Sequence, residues 1–187
     1  MVNDSQVRDI LVERCRNGDR LAFRQLYDQY AKAMYNISLR MLGSQMDAED
    51  VLQESFIQVF THISGFRGES SVGAWIKRIV INQCLNQWKK KKISWIAMDE
   101  SSEFPEEEVM DEGEFTLAVD RIKETIQQLP DQYRIVFNLY LLEQHTHREI
   151  ADLLGISESA AKTQYHRARK KIMQLLQIKE MDLTSPS

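Results

Sequence analysis

Only two cysteines occur among the 187 residues, Cys15 and Cys84. They are too few and too far apart for a disulfide framework or a cysteine-rich metal site, and a reducing, cytosolic setting is the simple expectation. Long apolar runs are missing too. The hydrophobic stretches are interrupted by Gln, Asn, Lys or Arg, and none approaches the roughly 18 residues of a bilayer crossing. The opening MVNDSQVRDI lacks a basic patch followed by an apolar run, which argues against a secretory signal. A cytoplasmic protein without direct membrane insertion is therefore expected. There is no phosphate-cradling glycine loop, no HExxH and no nucleophile turn. His145 and His147 stand two apart with no convincing third ligand beside them, so no metal or other cofactor is expected. Carboxylates are abundant, but abundance in a loop does not make a general acid and base, and the chain reads as a non-enzyme.

What is present is an ordinary globular composition, 43% hydrophobic and 28% charged, with a formal net charge of −4. The charge is strongly segregated. Residues 1–92 hold 14 Lys/Arg against 10 Asp/Glu, whereas 93–115 hold nine Asp/Glu and no basic residue; 116–187 hold ten basic against nine acidic. A polyanion senses the local field of the surface it approaches, so an acidic total does not exclude nucleic acid.

The acidic segment ISWIAMDESSEFPEEEVMDEGEF carries Pro105 and Gly113 and has no sustained period. It reads as a linker kept extended by like charges. It is either a solubilising spacer or a competitor with DNA for the basic surfaces on its flanks. The folded parts beside it span about 18–92 and 116–178. In the first, Phe23, Leu26, Tyr27, Tyr30, Met34, Ile37 and Met41 recur at helical spacing, with Asp19 as cap and Gly43 and Ser44 as stop. A second helix is expected from Asp47, burying Val51, Leu52, Phe56, Val59, Phe60 and Ile63, and a third follows the loop SGFRGESSVG. In the second part, Val119, Ile122, Ile126 and Leu129 mark one helix and Pro130 starts another. No strand-like alternation persists. The expected fold is all-α: two small helical bundles joined by an acidic flexible linker, the second containing a helix-turn-helix.

That motif is EIADLLGISESAAKTQYHRARKK, residues 149–171. Thr146 and Glu149 fit a capping box before Ile150, Leu153 and Leu154. Gly155 ends that helix, Ile156 can plug the core across the turn, and Ser157 caps the next. On the next helix Ala161, Tyr165, Ala168, Ile172 and Leu175 share one face. Ser159, Thr163, His166 and Lys170 share the opposite one, with Lys162 and Arg167 beside them. Small side chains near the amino end suit approach to base edges, and the basic ones suit phosphates. An ordinary bundle helix with a solvated charged face is the competing reading.

Seven basic residues and one acidic residue lie between Arg67 and Lys92. After Gly73, Trp75, Arg78, Asn82, Asn86 and Lys89 share a stripe, with Lys77 beside it. Aromatic plus basic side chains suit stacking of unpaired bases, with Phe66 and Arg67 in the preceding loop as further candidates. Alternatively, Phe66 and Trp75 pack the loop against the bundle. The helix from Asp47 opens with Asp47, Glu49, Asp50, Gln53 and Glu54. Dipole compensation accounts for part of that acidity, and a docking face for a basic partner is an equal reading.

The segments GDRLAFRQLYDQY, DAEDVLQESFIQVF, FRGESSVGAWIKRIVINQCLN, LPDQYRIVFNLYLLE and HREIADLLGISESAAKTQYHRARKKI, in this order, resemble the group IV (extracytoplasmic-function, ECF) RNA polymerase sigma factors of the sigma-70 family. The resemblance covers nearly the whole chain. It implies a region 2-like domain (1–92), an acidic linker (93–115), a region 4-like helix-turn-helix domain (116–178) and a flexible tail (179–187). It implies a factor that directs core RNA polymerase to specific promoters and promotes strand opening. Asp47, Asp50, Gln53 and Glu54 would dock on the beta-prime clamp helices. Phe66, Arg67, Trp75, Lys77, Arg78, Asn82, Asn86 and Lys89 would handle the unpaired minus-ten strand. Ser157, Ser159, Lys162, Thr163, Gln164, His166, Arg167 and Lys170 would read the minus-thirty-five duplex. The linker would pass near the active-site channel and RNA exit path, as a mimic of nucleic acid. Implied partners are core polymerase, including its beta subunit, promoter DNA, and a membrane-anchored anti-sigma factor of the kind that holds many relatives inactive. Three departures stand out: where many relatives read VKSRLHRAR this chain reads AKTQYHRAR, with Gln164 for Arg, Ala161 for Val and Tyr165 for Leu. A stand-alone helix-turn-helix regulator and a helical protein-interaction adaptor are the alternatives; each leaves some of these segments without a role.

Overall fold

The computed structural model describes the backbone of residues 4–96 and 125–184, and the side chains within 10–91 and 125–176. Every regular element among the described residues is helical, in agreement with the expected all-α fold. The chain divides into two compact units.

The first unit contains α1 (Asp4–Arg16), α2 (Arg20–Leu42) up to Leu39, α3 (Gln45–His62), a 3-10 turn at Ile63–Gly65, and α4 (Val72–Ile96) up to Lys91. Helix α1 precedes the stretch in which periodicity predicts helices, yet it buries Val12 and Cys15. Asp19 caps α2 as expected: its Oδ1 accepts from the amides of Leu21 at 2.9 Å and Ala22 at 3.2 Å. Leu26, Met34 and Ile37 are buried, whereas Tyr27 remains at the rim with its ring 4.8 Å from Phe56. Phe23 and Phe60 meet at 4.9 Å along the same α2–α3 seam. Helix α3 starts at Gln45, before the expected Asp47, because Ser44 is its N-cap. The Ser44 backbone is extended and its hydroxyl accepts from the Asp47 amide at 3.3 Å. Val51, Leu52, Phe56, Val59 and Ile63 are buried as their spacing predicts.

Ser71 caps α4, its Oγ accepting from the Ala74 amide at 3.2 Å. Ile76, Val80, Cys84, Leu85 and Trp88 line the buried face of this helix. The helix runs through Ile96, into the segment expected to begin the linker at 93. Lysine is a good helix former and its charge is favourable near a helix C-terminus, so Lys89–Lys92 do not end the helix. The rest of the expected linker from residue 97 lies outside the described residues, as do Val119 and Ile122.

The second unit contains a helical turn at 125–127, α5 (Asp131–Phe137) continuing into a π-helical turn at Asn138–Leu142, α6 (His147–Leu154) and α7 (Glu158–Thr184). Pro130 occupies the N-cap of α5, one position earlier than its expected first-turn place. Ile126, Leu129, Phe137, Ala168, Ile172 and Leu176 form one core, with Tyr133 and Tyr165 packed against it. Leu176 is more deeply buried than the expected Leu175. Helix α7 extends to Thr184, beyond the expected boundary at 178.

The α6–α7 turn rests on Gly155, whose φ of +68° is left-handed. Its amide and that of Ile156 both bond the Ala151 carbonyl, at 2.9 and 3.1 Å, closing the end of α6. A Cβ at residue 155 would meet nothing within 4 Å, so a substitution there probes the backbone alone. Gly155→Ala should therefore cost about 1–2 kcal/mol, from left-handed strain without any clash. Urea denaturation of the full chain checks this; a cost near zero would show that the turn relaxes out of the left-handed region.

Candidate nucleic-acid interface

The helix-turn-helix is built from α6 and α7, and its caps form as the sequence predicts. Thr146 Oγ1 accepts from the Glu149 amide at 3.2 Å, and the Glu149 carboxylate accepts from the Thr146 amide at 2.7 Å. Ser157 Oγ accepts from the Ala160 amide at 3.1 Å and starts α7. Ala161, Ala168 and Ile172 face the core. Ser157, Ser159, Lys162, Thr163 and Lys170 are exposed, while Gln164, His166 and Arg167 are half-buried along the flanks. Lys162 Nζ lies 2.8 Å from Glu158, and the Thr163 hydroxyl donates to the Ser159 carbonyl at 3.0 Å. Ser159, Lys162, Thr163, His166, Arg167 and Lys170 thus lie along one side of α7, with Ser157 at its cap and Gln164 toward its buried flank, and Ile156 is half-buried.

Tyr165, where the resemblance leads to an expected Leu, has ring partners of its own. The π-helical turn presents Tyr140, whose ring stacks on His147 at 4.3 Å with 9° between planes. Tyr165 closes on both, 4.4 Å from Tyr140 and 5.6 Å from His147. A leucine could not make these ring contacts. Residue 165 therefore joins α5, α6 and α7.

Within that cluster His147 Nδ1 is buried and has no hydrogen-bond partner. Burial, reinforced by the charges of Lys162 and His166, pushes the imidazole below its ordinary pKa, with Glu158 opposing. Folding thus favours the neutral ring. Its contribution is complete above the unfolded value near 6.5 and is lost as pH falls through that value toward the lower folded one. His147→Phe keeps the ring stack and removes the proton. As pH falls from about 7 to about 5, the variant should gain stability relative to the parent, read from thermal melts of both proteins across that range.

In the first unit, α4 carries Arg78, Asn82, Asn86 and Lys89 exposed along one stripe, with Lys77 half-buried beside them. Arg67 is exposed, its guanidinium 3.9 Å from Glu69. Trp75 is half-buried and its ring lies 5.2 Å from that of Phe66. Phe66 itself is only 9% exposed. This corrects Phe66 as a stacking platform: it packs the loop onto the bundle, the alternative already open from the sequence. The loop is also held from α1, where the Arg16 guanidinium donates to the carbonyls of Ile63, at 3.5 Å, and Phe66.

Asp47 needs a second correction. Asp50, Gln53 and Glu54 are exposed, but Asp47 is 4% exposed. Lys91 Nζ lies 2.5 Å from its Oδ2, and Gln87 Nε2 donates to its Oδ1 at 3.3 Å. Burial raises the Asp47 pKa, but the hydrogen bonds from Lys91, Ser44 and Gln87 outweigh burial and hold it below the ordinary carboxylate value. Asp47 therefore ties the start of α3 to the end of α4 instead of facing a partner. The exposed stripe gains two residues in its place, Met46 at 71% and Ile57 at 65% exposure. Stepping 100° per residue puts both on the line of Asp50 and Gln53, out of phase with the buried set, so periodicity held the signal.

The stabilisation from Asp47 is present above the unfolded carboxyl pKa and is lost as pH falls through the lower folded one. Asp47→Asn should cost about 1–2 kcal/mol near pH 7, given that Lys91 is half-exposed. The deficit should shrink below about pH 4. Urea midpoints at both pH values measure it, and a deficit independent of pH would mean that the ion pair contributes nothing.

Two helical units, one carrying a helix-turn-helix and one carrying an exposed acidic stripe on α3 and a basic stripe on α4, define an all-α protein with several charged surfaces. A family model described as Sigma-70 region 2 matches residues 26–93, and one described as Sigma-70, region 4 matches 120–172. The chain is 30% identical over 176 residues to the ECF RNA polymerase sigma factor SigW of Bacillus subtilis, covering 88% of this chain and 94% of that protein. It is 28% identical to the RNA polymerase sigma-H factor of Pseudomonas aeruginosa, covering 89% and 92%, and 28% identical to the ECF sigma-E factor of Haemophilus influenzae, covering 89% and 94%. Among solved structures, CnrH in complex with the cytosolic domain of CnrY has a TM-score of 0.51 at 22% identity, covering 95% of this chain and 99% of that one. The sigma factor RpoE in complex with the anti-sigma factor NepR from Bartonella quintana has a TM-score of 0.51 at 20% identity, covering 83% and 97%. The chain belongs to the extracytoplasmic-function sigma factors of the sigma-70 family, and its function is promoter-specific transcription initiation. The stand-alone regulator and adaptor readings account for only part of the matched length.

Proposed function

We propose that the three surfaces divide the work of initiation. The α3 stripe of Asp50, Gln53 and Glu54, with Met46 and Ile57 adding apolar area, docks on the beta-prime clamp helices of core polymerase. Charge there steers encounter, and the apolar pair contributes the buried contact. Arg67, Trp75, Lys77, Arg78, Asn82, Asn86 and Lys89 hold the unpaired minus-ten strand, so that captured bases offset an unstacking cost of about a few kcal/mol each. Ser157, Ser159, Lys162, Thr163, Gln164, His166, Arg167 and Lys170 meet the minus-thirty-five duplex. The phosphoryl transfer belongs to the polymerase. The observation that carries this reading is the exposure of the acidic stripe on α3 and of basic stripes on α4 and α7, inside the two matched regions.

Regulation by an anti-sigma factor is a further part of the reading, supported by the anti-sigma factor in the NepR complex. The remaining polymerase contacts, including the beta subunit, follow the family pattern.

Promoter-dependent transcription with purified core polymerase on a linear promoter library tests the whole. Specific start sites should appear only when this chain is added; no initiation and no core binding would sink the reading. Charge reversal at Asp50 and Glu54 together should weaken core binding at least roughly tenfold, a 1.4 kcal/mol loss, and leave duplex binding by the second unit unchanged. Equal loss of both would argue against separate surfaces.

A further inference from the structure

Arg16 lies outside both matched regions, since the first begins at residue 26. It occupies the last turn of α1, where any cation is favourable to the helix dipole. Its Nη1 lies 2.5 Å from Glu13, an ordinary pair on one helix face. Neither fact accounts for the rest of the side chain. Nε donates to the carbonyl of Ile63, 47 positions away, and Nη2 to the carbonyl of Phe66, 50 positions away. The guanidinium therefore spans the 3-10 turn and grips the main chain immediately before Arg67.

The loop that follows has few other anchors. The Phe66 amide donates to the Ile63 carbonyl at 3.2 Å, the Phe66 ring lies against Trp75, and Ser71 caps α4. Between those points Gly68 is left-handed and Arg67 and Glu69 are exposed. We propose that Arg16 is a positioning residue for promoter recognition: it fixes the main chain at 63–66 so that Arg67 and Trp75 meet the unpaired strand in one orientation. This rests on the reading of the loop and α4 as the minus-ten surface. A planar guanidinium offers donors in a fixed fork, which lets one side chain satisfy two carbonyls at once. Holding the loop before the strand arrives lowers the ordering cost at binding and makes the orientation selective.

Arg16→Lys is the informative variant. It retains the charge at the helix end and removes the fork, so a defect in it is not a dipole effect. Arg16→Ala removes both. Hydrogen exchange of amides 63–71 in the full chain should rise about fivefold in both variants, as expected for loss of about one net hydrogen bond. Holoenzyme assembled from core polymerase and each variant is then run on linear DNA randomised across the minus-ten region. The preference for the best over the second-best base at the captured positions should fall about fivefold, with core binding of Arg16→Lys close to the parent's and its urea midpoint lowered by no more than that same net hydrogen bond. Arg67→Ala and Asn82→Ala serve as direct-contact controls. If these controls change base preference and Arg16→Lys does not, the positioning role is overturned. It is overturned equally if Arg16→Lys weakens core binding and base preference in proportion to lost stability, because the residue is then only structural. If neither the controls nor Arg16→Lys alters base preference, the loop does not read bases, and the underlying reading falls together with this proposal.

Discussion

The first unit depends on a carboxylate that its own sequence places among surface acids. Asp47 accepts from Gln87 and Lys91, and through it the first turn of α3 is tied to the C-terminal part of α4. A buried carboxylate left unpaired would be costly, so the pair constrains where α4 can end relative to α3. Ser44 completes the arrangement by capping the same turn through the Asp47 amide. The proposed docking stripe and the proposed strand-binding stripe lie on these two helices. At one end the two helices are joined by a single ion pair, and Val51 and Phe56 on α3 and Val80 and Leu85 on α4 are buried.

The second unit solves a different problem, holding a short helix against a long one across a tight turn of backbone. Gly155 supplies the left-handed residue, and the capping box and Ser157 satisfy amides on either side of it. Caps alone leave the angle between α6 and α7 loose. Tyr165, tilted against the stacked Tyr140–His147 pair, adds a restraint to the burial of Ile150, Leu154 and Ala161, next to the exposed face of α7. The larger Tyr165 accordingly takes a packing role at a position flanked by proposed base and phosphate contacts.

Most of the helical framework was legible, because caps and stripes are local signals. Asp19, Ser157, Gly155 and the Thr146–Glu149 box all sit where side-chain chemistry and spacing place them. The misreadings have a common physical origin. Asp47 and Glu54 are seven residues apart and share a helix face, so periodicity treats them alike. Only the crossing of α4 over the first turn of α3 separates them, and that is a long-range fact. Phe66 is a similar case, an aromatic beside basic residues that a loop could expose or bury. Met46 and Ile57 were readable in principle, since both fall out of phase with the buried residues of α3. The reach of Arg16 was not, because a contact across 50 positions leaves no local pattern.

The segregation of charge also acquires a finer meaning. Counting lysines and arginines treats each as a potential phosphate contact, yet Lys91 is bonded to Asp47 and Arg16 to main-chain carbonyls. Both sit beside residues proposed to touch DNA. A cation engaged in this way contributes orientation to its neighbours, and its effect on affinity should depend less on salt than that of an exposed phosphate contact. The basic surface of the first unit thus holds two populations: exposed groups such as Arg67 and Arg78, proposed to meet the polyanion, and internally bonded groups such as Arg16 and Lys91, proposed to orient them.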